Sequence, residues 1–335
     1  MSAAHPRPDV LMPLRNLCNS VKCSRDRVRD GESNECSGAF SLSNFWETLS
    51  EAVKSTSQEA TKLSVMFSNA PSDEDCVKIS ESVQKSVLTL STVYFWLPAS
   101  QGVSLRKVVR DATAEVLDGL VHLLEAILSS PGESLSQEQL MSTGGVWAAC
   151  DQFDQLPKDN RSAVLSVLTA CAGLVKDALE EMEQALAEAQ DPFGAVLDDD
   201  DDDDEGHQDT HWSEADRLLV TQCQGLMKAS GASLRKLCSA VRTNGSLETE
   251  ERISQLDALT DAARDISPSV DDLALSLYPP VDRSAVDLNC CDGEGVSIRS
   301  SHVCAEADVS WVEFLSGAVE HNLQKITSLL RDCGS

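Results

Sequence analysis

Seven consecutive aspartates, Asp198 to Asp204, closed by Glu205, constrain this chain more than any other stretch. Charges of one sign held side by side repel each other, so neither a packed helix nor a strand can contain them. The run reads as a solvated hinge between two helical regions. Asp191-Pro192-Phe193-Gly194 stops a helix just before it, and a helical pattern resumes at Trp212-Ser213. The composition fits a flexible linker, and it also fits an acidic docking or solubilising segment for a basic partner.

The charge excludes some functions. At −28 over 335 residues, the chain repels phosphate backbones and anionic lipid headgroups, so no direct nucleic-acid binding and no membrane association are expected. Basic protein partners are favoured. No apolar run of 18 residues is found, so no membrane span is expected. Twelve cysteines are scattered without a preceding secretory signal, and Cys76, Cys171, Cys223 and Cys238 fall at apolar positions of helical patterns. That usage points to a reducing compartment, cytosolic or nuclear.

Hydrophobic spacing of three and four residues runs through most of the sequence and predicts an all-α, two-lobed helical bundle protein. Residues 1–40 read as a flexible segment with a short helix near Leu11 to Leu17. An N-terminal up-and-down bundle of about five helices is expected over 41–190. Its helices run from about Leu42 to Asn69, from the Ser72 cap to Leu97, and from Ser104 to Ser130. A weaker helix over Val146 to Phe153 follows the Gly144-Gly145 break, and a long one covers Lys158 to Gln190. An acidic linker takes up 191–212. A smaller C-terminal lobe fills 213–335, with a helix capped by Ser213-x-x-Asp216 and another from Leu247 to Ile266. Ser267-Pro268 then reads as a restart, with serine at the cap and proline at the first helical position. Residues 281–308 read as an irregular insert, and a last helix spans about Val309 to Cys333.

No constellation points to catalysis. His207-x-Asp209-x-His211 lies beside the aspartate run, where nothing preorganises a metal shell. Cys290-Cys291 with His302 and Cys304 lacks the Cys-x-x-Cys spacing of a zinc knuckle. Gly144-Gly145 is not followed by Lys-Ser/Thr, so there is no phosphate cradle. No enzyme activity, no cofactor and no metal are expected. Ser72 and Ser213 precede acidic residues and Ser267 precedes proline, which makes them candidate phosphorylation sites as well as helix caps.

Tyr94-Phe-Trp-Leu-Pro98, running into Gly102-Val-Ser-Leu-Arg-Lys-Val-Val-Arg-Asp-Ala-Thr113, resembles the cyclin-D-binding protein 1 family. So do Pro157-Lys-Asp-Asn160, the block from Val175 to Ala185, and the block from Ile266 to Pro280, in that order on either side of an acidic linker. The resemblance implies a non-enzymatic helical regulator, a helix-loop-helix protein without a basic region, found in cytoplasm and nucleus. It implies three partners: D-type cyclin, helix-loop-helix transcription factors and a Grap-type adaptor. It also implies restraint of cyclin-D-dependent kinase and hence of retinoblastoma phosphorylation. The family pattern calls for a helix after Pro279-Pro280, where this chain shows no helical stripe.

The expected contact element is the short helix between prolines: Ile266, Ser267, Pro268, Val270, Asp271, Asp272 and Leu273. The competing reading of those residues is a connector packed on the second lobe. The competing function is a helical adaptor or scaffold of adhesion or trafficking type, without effect on the kinase.

Overall fold

The structure, a computed structural model, describes residues 11–31, 33, 40–68, 71–129, 136–189, 211–291 and 309–332. Among these residues there are ten α-helices and two short 3-10 turns, and no strand. The fold is all-α, as the periodicity requires. The acidic run lies outside the described residues. The helices divide into two units, between Asp159 and Asn160.

The first unit holds α1 (Met12–Arg29), α2 (Leu42–Met66), α3 (Asp73–Phe95), α4 (Val103–Ser129) and α5 (Gln137–Asp151). Helix α1 packs on α3 and α4, α2 on α3 and α5, and α4 on α5, so the five close a ring. Helix α4 carries the widest apolar surface, with Leu105, Val109, Val116, Leu120, Leu123 and Ile127 all buried. Polar contacts set the antiparallel register. Ser82 donates to Glu59 across α2 and α3 at 2.7 Å, and Gln139 donates to the Ser64 carbonyl across α2 and α5 at 2.8 Å. Arg25 and Arg29 both reach Asp118 from α1 to α4.

Two expectations fail in this unit. The segment 1–40 is not wholly flexible, because α1 runs far beyond Leu17. Leu14, Leu17, Cys18, Val21 and Val28 are buried along one side, and the interleaved Arg and Asp residues disguise that stripe. The Gly144-Gly145 pair does not break a helix, since both glycines lie inside α5. Each costs about 1 kcal/mol relative to alanine, and α5 survives because Gln139, Thr143, Val146 and Cys150 hold it against its neighbours. Gly119 on α4 allows that approach: a β-carbon there would stand 3.1 Å from Val146 Cγ2.

The second unit holds α6 (Asn160–Glu188), α7 (Glu214–Asn244), α8 (Glu250–Ser276), α9 (Arg283–Cys291) and α10 (Val309–Asp332). Helix α6 packs on α7 and α8, and α10 packs on α7 and α9. One core takes in Val164, Leu168, Leu219, Cys223, Leu256, Val270, Val286 and Ile326. Trp212 donates to the Leu277 carbonyl at 2.7 Å, tying the entry of α7 to the end of α8. The predicted Ser213 cap forms as a full capping box with Asp216.

Four readings are corrected here. The helix expected at the end of the N-terminal bundle packs in the second unit instead, because Val164, Leu168, Cys171 and Val175 face α7 and α8. An acidic run in the sequence does not decide which core the helix before it joins. Ser267-Pro268 is no restart: α8 is continuous, with Pro268 inside it. Pro268 faces solvent while Ile266, Ser267 and Val270 are buried on either side of it, so core contacts hold the helix together across the missing N–H. Residues 283–291 are a helix rather than part of an irregular insert, anchored by buried Val286 and Cys290. This supplies the helix after Pro279-Pro280 that the family pattern calls for; 292–308 lie outside the described residues. Finally, α6 contains an 18-residue stretch long and apolar enough to cross a membrane by length and composition. That stretch takes in Lys176 and Asp177, and the buried face of α6 meets α7 and α8.

Candidate partner-binding surface

Helix α3 buries Cys76, Ile79, Val83, Val87, Leu90 and Tyr94. A second stripe along the same helix, Glu81, Lys85, Leu88, Thr92 and Trp96, follows a spacing of four, three, four and four and turns outward. With Thr48 of α2 it lines an open groove of about 550 Å³. Leu88 is 48 % exposed and Trp96 is 42 % exposed. Their neighbours Tyr94, Phe95 and Leu97 are buried, so in the stretch Tyr94 to Pro98 the tryptophan is the aromatic side chain that packing does not explain. Glu47 and Glu51 flank Thr48 and are exposed.

The buried part of that stretch is held by Arg106. Its guanidinium donates to the carbonyls of Leu97 and Gly31 and to the hydroxyls of Tyr94 and Ser33. Two of the sequence blocks that carry the family resemblance therefore meet at one buried arginine. Burial, partly offset by the Arg106 and Arg110 charges, raises the Tyr94 phenol above its ordinary range.

A second cavity, of about 300 Å³, lies between α2 and the end of α5. Lys158 Nζ sits 4.4 Å from the Trp46 ring centroid, and Trp46 Nε1 donates to the Lys158 carbonyl at 2.8 Å. The block Pro157 to Asn160 thus closes this cavity by a cation–π contact. Cys150 lines it, and burial followed by the Asp151 charge pushes its thiol up to about 12. A thiol so protonated is a poor nucleophile.

The residues predicted as a contact element are split by the structure. Ile266, Ser267, Val270 and Leu273 are buried in the second core, leaving Pro268, Asp271 and Asp272 on the surface. Burial first, then Asp272 and Glu181, raise the Asp271 carboxyl above its ordinary value. What remains there is a patch of negative charge, with the exposed Leu275 one turn further along α8. Of the serines, Ser72 and Ser213 are exposed caps, whereas Ser267 is buried with its hydroxyl against the Cys171 thiol. Cys290 is also buried, hydrogen-bonded to Cys223, and that bond, followed by burial, raises the Cys223 thiol. Among the described residues no three His, Cys, Asp or Glu side chains gather to hold a metal ion; His207, Asp209, His302 and Cys304 lie outside them.

Sequence reasoning missed the groove, although its signal was present. Leu88 and Trp96 fall off the buried seam of α3 but share a face with each other, and that shared face is the trace the groove leaves in the sequence.

Two family models match the chain. "Grap2 and cyclin-D-interacting, N-terminal" covers residues 48–188, and "Grap2 and cyclin-D-interacting, C-terminal" covers 197–294. The chain belongs to the Grap2 and cyclin-D-interacting family. It is 73 % identical to Cyclin-D1-binding protein 1 homolog of Danio rerio, over 99 % of both chains. It is 47 % identical to the Xenopus laevis homolog, over 95 % of this chain and 98 % of that one. Against Cyclin-D1-binding protein 1 of Homo sapiens the identity is 37 %, over 95 % and 93 %. The Grap2 and cyclin-D-interacting family is described by the proteins it contacts rather than by a reaction. Its N-terminal model ends at 188, with α6, whereas the packed units divide before α6. The family's sequence halves and the structural units therefore differ by one helix.

Proposed function

We propose that this chain is a non-enzymatic negative regulator of cell-cycle progression that binds D-type cyclin. By occupying the cyclin it lowers phosphorylation of the retinoblastoma protein by the cyclin-D-dependent kinase and so restrains downstream transcription. Helix-loop-helix transcription factors and a Grap-type adaptor are further partners, met in cytoplasm and nucleus. Ser72 and Ser213, exposed at helix N-termini, are the points where phosphorylation would adjust the interaction.

The observation that carries this reading is 73 % identity, over 99 % of the chain, to a protein named for cyclin D1 binding. An exposed Leu–Trp groove and a net charge of −28 support a protein partner. The test is an in vitro kinase assay. Full-length protein is titrated into an active D-type cyclin–kinase pair, and retinoblastoma phosphorylation is followed. A dose-dependent fall supports the reading. Unchanged phosphorylation with intact cyclin binding would favour an adaptor or scaffold instead.

A further inference from the structure

We propose that the open groove between α2 and α3 docks one α-helix of the partner, an amphipathic helix whose apolar ridge is edged by lysine or arginine. This rests on the reading that the chain binds a helical protein such as a D-type cyclin, and it names the surface and the chemistry that surface selects. A helix about 10 Å wide settles on another helix pair by setting apolar side chains into the furrow between them. Leu88 and Trp96 lie two turns apart along the furrow wall, the spacing at which a docked helix places successive anchors. Tryptophan is the residue that most often concentrates binding energy at an interface, and this chain spends one of its five on the groove rim.

Charge decides the kind of helix. Glu81 and Lys85 lie in the wall and offset each other, so the attraction for basic residues comes from Glu47 and Glu51, exposed next to Thr48 on α2, and from the net charge of −28. Basic residues flanking an apolar ridge meet those carboxylates favourably. A second copy of the chain would bring the same carboxylates and a net charge of −28, and like charges across an interface oppose its formation.

The test uses the full-length chain, wild type and three exposed-site variants, Leu88→Glu, Trp96→Ala and, on α5 away from the groove, Leu140→Glu. Circular dichroism establishes that each is folded. Binding is measured to a purified D-type cyclin and, separately, to a synthetic 18-residue leucine–lysine amphipathic peptide. Leu88→Glu and Trp96→Ala are expected to weaken both by about tenfold or more while Leu140→Glu leaves them unchanged. Cyclin bound equally by all four proteins overturns the groove and leaves the cyclin-binding reading standing. If wild type does not bind cyclin, that reading fails, and the peptide alone judges the groove. Selective loss of peptide binding in the two groove variants then supports it, and equal or absent peptide binding overturns it. A wild-type dimer in sedimentation that Leu88→Glu dissolves also overturns it, since the occupant would be a second copy.

Discussion

The Arg106 guanidinium lies over the Tyr94 ring, its Cζ 5.3 Å from the centroid, and donates to the Tyr94 hydroxyl at 3.3 Å. The same side chain bonds the Leu97 and Gly31 carbonyls, so one residue joins the start of α4 to the ends of α3 and α1. Removing a buried charged donor leaves acceptors without partners, at a cost of about 3 kcal/mol. Arg106→Met is expected to lower the urea midpoint accordingly. Arg106→Lys should recover little, because an ammonium cannot reproduce the planar fork. A loss below about 0.5 kcal/mol, the scale of ordinary surface substitutions, would contradict this role.

Gly225 on α7 faces the Asn322 side chain of α10. A β-carbon there would lie 2.4 Å from Asn322 Oδ1. Gly225→Ala is expected to change the stability of the second unit by less than about 1 kcal/mol, because the half-buried Asn322 side chain can turn aside and alanine's helix propensity, about 1 kcal/mol better than glycine's, offsets the shift. The double variant with Asn322→Ala removes the contact and should be more stable than the single variant, and calorimetry on the three variants reads the coupling.

Pro268 removes one backbone donor from a continuous helix. Pro268→Ala should raise stability by about 1–2 kcal/mol, since helix propensity favours alanine by about 3 kcal/mol and the looser unfolded chain takes part of that back. A fall in the melting temperature would indicate that the proline fits a break after all.

Asp216 ties stability to pH. Burial works to raise its carboxyl, but hydrogen bonds from Ser213 and Arg283 outweigh it and hold the group below its ordinary value of 3.8. A depressed folded pKa stabilises above the unfolded value, and the gain disappears as pH falls through the folded one. Asp216→Asn is therefore expected to be less stable than wild type at pH 7. In urea titrations the gap should narrow as pH drops below 3.8. A gap that stays constant with pH would assign the loss to packing instead.

Much of the architecture was legible because long amphipathic seams admit one reading. The serine caps at 72 and 213 began α3 and α7 where expected. Local signals misled where distant packing decided. Arginines hid the stripe of α1, two glycines and a proline suggested ends that core contacts override, and the linker suggested a boundary one helix too late. The expected contact element is divided between core and surface for a related reason. Proline-bounded helices look presentable in sequence, yet Ile266, Val270 and Leu273 are the residues α8 needs for its own core. Leu88 and Trp96 became conspicuous only once the ring of five helices left them uncovered.

The central claim, direct binding of a D-type cyclin by this acidic helical chain, is tested by calorimetric titration of the full-length protein into purified cyclin at low and at physiological salt. A saturating one-to-one isotherm with a Kd of about 10 μM or tighter, weakened by salt, is the predicted result. No binding at that concentration in either buffer would contradict it.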